Sequence, residues 1–173
     1  MTLSLDHFEQ LYQHSPDPWG TATRWYERRK RSLLLASLQR ERYRHGFEPG
    51  CGIGETTSDL MERCDQLCAV DSSERAVWLC HRDIEKPWER GLDLRIMALP
   101  SDWPPVPPGG FDLIVVSELA FRLAASAWRA TRALTGSCTP ALAGSPSPMR
   151  TPRYRHAGSS TYYRCKPRTT SAL

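Results

Sequence analysis

Glu48-Pro49-Gly50-Cys51-Gly52-Ile53-Gly54 is the stretch on which the reading of this chain turns. It follows Phe47 and leads into residues 56–64, where Thr57, Leu60, Met61 and Cys64 repeat at the i, i+3, i+4, i+7 spacing of a helix with one buried stripe. Glycines at alternate positions let a backbone turn sharply and approach a ligand without a Cβ in the way. A helix start beside them offers free N–H groups and the positive end of a dipole, which favour a carboxylate or phosphate. Pro49 cannot donate a strand hydrogen bond, so the first strand is expected to end early or bend there.

Downstream, the rhythm of strand and helix repeats. Gln66 to Val70 is a short run in which Leu67, Cys68, Ala69 and Val70 are uninterrupted by charge, as suits a parallel strand covered on both faces, and it ends at Asp71. Residues 73–85 read as a helix with Ala76, Val77, Cys80 and Ile84 inward. Leu92 to Met97 reads as a third strand, and a connector from Pro100 to Gly110 carries five prolines and two glycines. Phe111-Asp112-Leu113-Ile114-Val115-Val116 is the clearest strand of all. Strands alternating with helices at this spacing predict βαβ units in an α/β fold, a Rossmann-like, doubly wound parallel sheet. In such a sheet the carboxyl ends of the first two strands flank the ligand crevice. Asp71 is then placed to accept both hydroxyl protons of a ribose. Its other reading is the N-cap of the helix that begins near Glu74.

Glu48 separates two nucleotide-binding patterns. Dinucleotide-binding dehydrogenases use G-x-G-x-x-G behind an apolar strand, whereas here a carboxylate stands two residues before the first glycine and the third glycine comes one residue early. The pattern E-x-G-C-G-x-G resembles motif I of class I, S-adenosylmethionine-dependent methyltransferases. Upstream, Phe8-Glu9-x-Leu11-Tyr12, Pro16-Asp17-Pro18-Trp19 and Trp25-Tyr26-Glu27-Arg28-Arg29-Lys30 resemble the NodS-like nodulation methyltransferases, as do Arg63-Cys64-Asp65 and Ala69-Val70-Asp71. The likeness runs over residues 7–119.

That resemblance implies S-adenosyl-L-methionine as cofactor, with Glu48 near its methionine moiety and Gly50, Cys51, Gly52 and Gly54 forming the loop beneath it. It implies Asp71 and its neighbour Ser72 at the ribose, and Met97 and Ala98 at the adenine. Ser117 and Glu118 follow at the carboxyl end of the fourth strand. The N-terminal helices become a lid, with Trp19 and Arg28 as candidate contacts. The implied reaction is N-methylation of the free amine on a chitooligosaccharide, and Glu118 is the candidate base, because an amine must be unprotonated to attack. The bland readings stand beside these: Trp19 as a core aromatic, Arg28–Arg31 as a solvated helix face, Glu118 as a surface or capping acid. The acceptor could also be another small molecule, or the chain an inactive cofactor-binding remnant.

Charge and composition divide the chain. Residues 1–119 hold 14 basic and all 19 acidic residues, a net of −5, and the remaining nine basic residues lie between Arg122 and Arg168. A net negative body speaks against a nucleic-acid surface. In residues 136–173, 19 of 38 positions are Ser, Thr, Pro or Gly, with no period of two or 3.6. Such a segment is expected to be disordered, and its composition resembles an out-of-frame reading of GC-rich coding DNA. The expectation is therefore a helical cap over 1–45, a cofactor-binding core with the first four strands over 46–119, and a non-homologous tail over 120–173 from a truncated or frameshifted gene. The fold would stop short at its C-terminus, leaving the fourth strand as an unpaired edge. None of the six cysteines forms a CxxC pair, Cys64 and Cys68 lack companion ligands for a metal, and no apolar run is long enough to cross a bilayer. With no signal-peptide pattern at the N-terminus, cytoplasm is the default location, with a small-molecule or oligosaccharide substrate and no nucleic-acid or membrane partner.

Overall fold

A computed structural model of the chain describes residues 5–117, 139–142 and 161–164. Two helices come first, α1 (Leu5–His14) and α2 (Trp25–Ser37). Strand β1 (Tyr43–Pro49), helix α3 (Glu55–Met61), β2 (Cys64–Asp71), α4 (Glu74–Asp83), β3 (Leu92–Ile96) and β4 (Leu113–Val116) follow, then β5 (Thr139–Leu142) and β6 (Thr161–Arg164). The sheet order is β3-β2-β1-β4-β6-β5, with β1 to β4 mutually parallel and β5 and β6 antiparallel additions. The chain moves outward from β1 through β2 to β3, then returns to the other side of β1 to lay down β4. That reversal is the topological switch point of a doubly wound sheet.

Both faces of the sheet are covered, and the buried positions of its strands are mostly apolar, with Glu48 of β1 the buried exception. Leu67, Ala69, Leu113 and Val115 face one side, in a cluster with Leu60 of α3, Cys80 of α4 and Leu34 of α2. Phe47, Val70, Ile114 and Val116 face the other, packed with Phe111 and partly buried Met97 and Trp103. The alternation along β4 puts neighbouring residues into opposite clusters while all four stay buried.

Two boundaries and one buried position differ from the sequence reading. Cys64 opens β2 instead of closing the helix before it, because Cys64 pairs with Tyr43 and the N–H of Tyr43 donates to Arg63 O, extending the ladder back. The helical stripe and the buried strand position ask for the same side chain there, so apolar spacing could not tell them apart. Leu79, not Val77, is buried on α4. Pro49 stays in register with Val70 through the last residue of β1, and the ladder goes on through the N–H of Gly50, which donates to Val70 O. By the alternation of the strand, the missing donor of Pro49 faces β4, where the pairing with β1 has already ended at Phe47.

The C-terminal expectation is overturned in one respect. Strand β4 is not an edge, since β6 pairs with it along Leu113 to Val116 and β5 pairs with β6. The remainder of the tail, and with it the expected disorder, lies outside the described residues.

Asp112 fixes where β4 starts. Its Oδ1 accepts the N–H of His45 (2.8 Å) and its Oδ2 that of Arg44 (3.2 Å), while its own N–H donates to His45 O. The carboxylate is 8% exposed, and Arg40 Nη1 reaches it at 3.4 Å. Asp112→Ala leaves two backbone donors of β1 short of a partner and should lower the stability of the full chain by about 2–3 kcal/mol, read by urea denaturation.

Candidate functional site

The loop between β1 and α3 runs through Gly50, Gly52 and Gly54 at φ of 76°, 56° and 89°, the left-handed region that favours glycine. Two of these positions are also spatially committed. A Cβ on Gly54 would sit 2.5 Å from Cys80 Sγ of α4, and one on Gly52 would sit 2.9 Å from Tyr12 Oη of α1. The loop is thus pressed from below by the core and from above by the N-terminal helix. The Cys51 thiol beneath it is pushed upward in pKa, first by its hydrogen bond to Cys80 and then by burial, which makes it a packing group and not a nucleophile.

Two carboxyls flank the loop. Glu48, at the end of β1, is 1% exposed and accepts a hydrogen bond from Thr57 Oγ1 of α3 at 2.7 Å. Burial pushes its pKa up to about 8, against the opposing effect of that hydrogen bond, and nearby Asp71 and Asp59 push the same way. Asp71, half-buried at the end of β2, accepts the N–H of Gly52 on Oδ2 and that of Ser73 on Oδ1, both at 3.0 Å. Burial raises its pKa as well, while the N–H groups of Ser73, Gly52 and Ser72 work to lower it. Asp71 is not the cap of α4. That role belongs to Ser73, whose Oγ accepts from Ala76 N.

The N-terminal helices form the roof. Glu9 Oε2 of α1 accepts from Ser73 Oγ (2.6 Å) and from Arg75 N (3.3 Å), holding α1 against the start of α4. Tyr12 is buried and stands edge-on to Trp19, with ring centroids 5.2 Å apart, and Phe8 lies tilted against the same indole. Arg31 of α2 reaches down to α3, pairing with Asp59 Oδ2 at 2.9 Å and Glu55 Oε2 at 3.1 Å, and donates to Thr21 O. Beneath this roof is a cavity of about 240 Å³, at the carboxyl ends of β1, β2 and β4.

Most of the residues singled out in the sequence meet at this cavity. Trp19, Glu48, Gly50, Cys51, Gly52, Asp71, Ser72 and Ser117 line it. Gly54 does not, and acts from behind the loop against Cys80. Met97 and Ala98 are not among the lining residues either. Met97 donates its N–H to Asp71 O and turns its side chain to the Phe47 cluster, which leaves it beside the site. Arg28 is exposed and is not among the lining residues. The inward face of α2 is Glu27, Lys30, Arg31 and Leu34, one helical stripe, and Arg28 lies a third of a turn away from it. Glu118 lies outside the described residues, directly after Ser117 in the chain.

The sequence reading missed Thr57 as the partner of Glu48, and Lys30 and Arg31 as cavity residues. The buried Leu34 gives the phase of α2, and counting back three and four residues from it reaches both cations. Nothing in the linear order pointed to Thr57 as a carboxyl partner, since its spacing is equally that of a core threonine.

The methyltransferase domain family matches residues 47–140, more than half of the chain. Nodulation protein S of Rhizobium tropici is 29% identical over 122 residues, covering 68% of this chain and 49% of that protein, so the chain spans about half the length of the curated relative it matches. The crystal structure of the N-methyltransferase NodS from Bradyrhizobium japonicum WM9, in complex with S-adenosylhomocysteine, superposes with a TM-score of 0.60. At 16% identity over 93% of this chain and 97% of that one, it speaks for the fold alone. A protein of Pseudomonas syringae assigned as a methyltransferase is 28% identical, with a TM-score of 0.51 over 82% of this chain and 99% of the other.

The shift at Glu48 has a consequence for stability. An acid whose pKa is higher in the folded than in the unfolded chain binds its proton more tightly when folded. Its contribution is complete below the unfolded value and is lost as pH rises through about 8. Glu48→Gln removes this dependence. Between pH 5 and 8 the variant should gain stability relative to the parent chain, by up to about 1.4 kcal/mol per pH unit, in urea titrations without ligand.

Proposed function

This chain belongs to the methyltransferase domain family, and on that premise we propose that it transfers a methyl group from S-adenosyl-L-methionine to an amine of a chitooligosaccharide-type acceptor. The observation that carries the proposal is the meeting of Glu48 and Asp71 at one cavity, around a left-handed glycine loop, at the switch point of the sheet.

The cofactor fits the residues present. Gly52 leaves a cradle that a Cβ would fill, under the hydroxyl of Tyr12. Asp71 is held by two backbone N–H groups and still lines the cavity, so its carboxylate remains available to the hydroxyls of a ribose. Glu48 and the loop of Gly50 to Gly52 are suited to the amino-acid end of the same molecule. When bound, that molecule supplies a methyl group on a positively charged sulfur, open to in-line attack by a lone pair.

The protein's task is then alignment and exclusion of water. Phe8, Tyr12 and Trp19 close the roof with apolar surface, and the Arg31 pairs fix α2 above the glycine loop. Holding two reactants in line can lower a barrier by several kcal/mol, of the order of 7–11 kcal/mol in the best intramolecular cases. Glu118, next after the cavity residue Ser117, accepts the proton that the attacking amine must lose. The N-terminal words shared with the NodS-like group, and the relative named Nodulation protein S, support an amino-sugar acceptor.

Label transfer tests this directly. S-adenosylmethionine carrying a labelled methyl should mark a chitooligosaccharide with a free amine at its non-reducing end and leave the fully N-acetylated form unlabelled. Asp71→Ala should weaken S-adenosylhomocysteine binding by roughly 10–100-fold in calorimetry, the worth of a hydrogen bond to a charged group. Glu118→Gln should lower kcat by about a hundredfold or more with cofactor affinity unchanged. A folded chain that gives no heat and no thermal shift with the nucleoside overturns the reading.

A further inference from the structure

Helix α1 meets α4 through a carboxylate and a ring. Glu9 is half-buried, and its Oε2 accepts the hydroxyl of Ser73 at 2.6 Å and the N–H of Arg75 at 3.3 Å. Ser73 is the N-cap of α4 and Arg75 stands in the first turn, where N–H groups lack a partner within the helix and the dipole favours a negative charge. A turn further along α1, Tyr12 packs with Ala76 and Leu79 of α4 and holds its hydroxyl over Gly52. Glu9 and Tyr12 together set the height and rotation of α1, and with them the place of Phe8 at the cavity.

Ser73 also belongs to the other side of the site. Its N–H donates to Asp71 Oδ1, and Asp71 Oδ2 takes the N–H of Gly52, both at 3.0 Å. Its Oγ accepts the N–H of Ala76 at 3.0 Å while donating to Glu9. Ser73 is buried, so these contacts are shielded from water. The backbone of this one residue is held by the carboxylate at the end of β2, and its side chain by the carboxylate on α1. A shift of α1 therefore pulls on the turn that orients Asp71.

Resting on the proposed function, we propose that Glu9 is a positioning residue for the cofactor: through the Ser73 hydroxyl it joins the docking of α1 to the orientation of Asp71, so that the roof and the ribose-binding strand end are set together. Neither Glu9 nor Ser73 lines the cavity. Their influence on the ligand passes through Asp71, Gly52 and the rings of α1. The link is reciprocal, because a ligand that engages Asp71 favours the docked α1 by the same factor by which docking favours the ligand.

Calorimetry with S-adenosylhomocysteine on the full chain tests this, with urea denaturation of each variant alongside. Glu9→Ala should weaken binding by about tenfold, within the usual range for coupled sites. Glu9→Gln keeps an oxygen that can accept from both Ser73 and Arg75, and should return to within about threefold of the parent chain. Ser73→Gly removes the same hydroxyl while leaving a residue tolerated as a helix cap. It too should weaken binding, and adding Glu9→Ala to it should cost less than about threefold more, since both changes break one contact.

A folded Glu9→Ala chain that binds as tightly as the parent, with only its urea midpoint lowered, overturns the inference and leaves Glu9 a tether for stability. Losses that multiply in the double variant overturn it as well. If Glu9→Ala does not fold, hydrogen exchange on the parent chain decides. S-adenosylhomocysteine should then slow the Arg75 N–H more than the N–H groups at the far end of α4, and equal slowing of both counts against the link. All of these outcomes leave the cofactor assignment standing. Failure of S-adenosylhomocysteine to bind the folded parent chain brings down that assignment, and the inference with it.

Discussion

Asp71 is the contact through which the parts of this site are registered to one another. Its two carboxylate oxygens take one N–H from the loop after β1 and one from the turn after β2. Two neighbouring strand ends are thereby locked at a fixed separation, and the glycine loop cannot slide against the start of α4. Ser73, one of the two donors, in turn caps α4 and donates its hydroxyl to Glu9 of α1. A single carboxylate thus organises a chain of contacts from the sheet to the roof. The hydrogen bonds are few, but several are partly shielded from water, where each is worth more than at an exposed surface.

The site also carries a standing electrostatic cost. A buried and a half-buried carboxyl share one cavity, and among the described residues no arginine or lysine pairs with either. A core built for stability alone would place an apolar side chain at position 48, against Thr57 of α3. Such mismatches collect where a ligand is to be received, because the missing partner is then the ligand. The ion pairs around the roof are arranged the other way. Arg31 is largely sequestered and satisfied twice over, so it serves as a strut between α2 and α3, whereas exposed pairs such as Lys86 with Glu89 contribute little.

The sheet accommodates two features that look adverse in one dimension. Pro49 lies in a central strand, yet its nitrogen faces a side where the neighbouring strand has ended. The exposed apolar edge expected after β4 is covered by β6, in antiparallel register from Leu113 to Val116. The first expectation treated a local rule as though every strand had a full-length neighbour on each side, and the second took the tail to supply no neighbour at all. The ladder between β1 and β4 is only two residues long, and a one-dimensional pattern holds no record of that.

What the sequence by itself determined is the part governed by short-range periodicity and backbone freedom. The alternation of apolar runs with helical stripes, the glycines at 50, 52 and 54, and an acid at the end of each of the first two strands were enough to place the crevice and most of its lining. These signals are legible because a buried parallel strand, a left-handed turn and a strand-end carboxylate each demand a narrow set of residue types at a fixed spacing. The tertiary structure alone decided which side chains complete the site from a distance. It brought Lys30 and Arg31 to the cavity by the rotation of α2, gave Glu48 a hydrogen bond from Thr57, passed the helix cap from Asp71 to Ser73, and put Tyr12 over Gly52. Each of these depends on the angle and height at which separate elements pack, and that is set by the volume of the whole core, which no local stretch of sequence encodes.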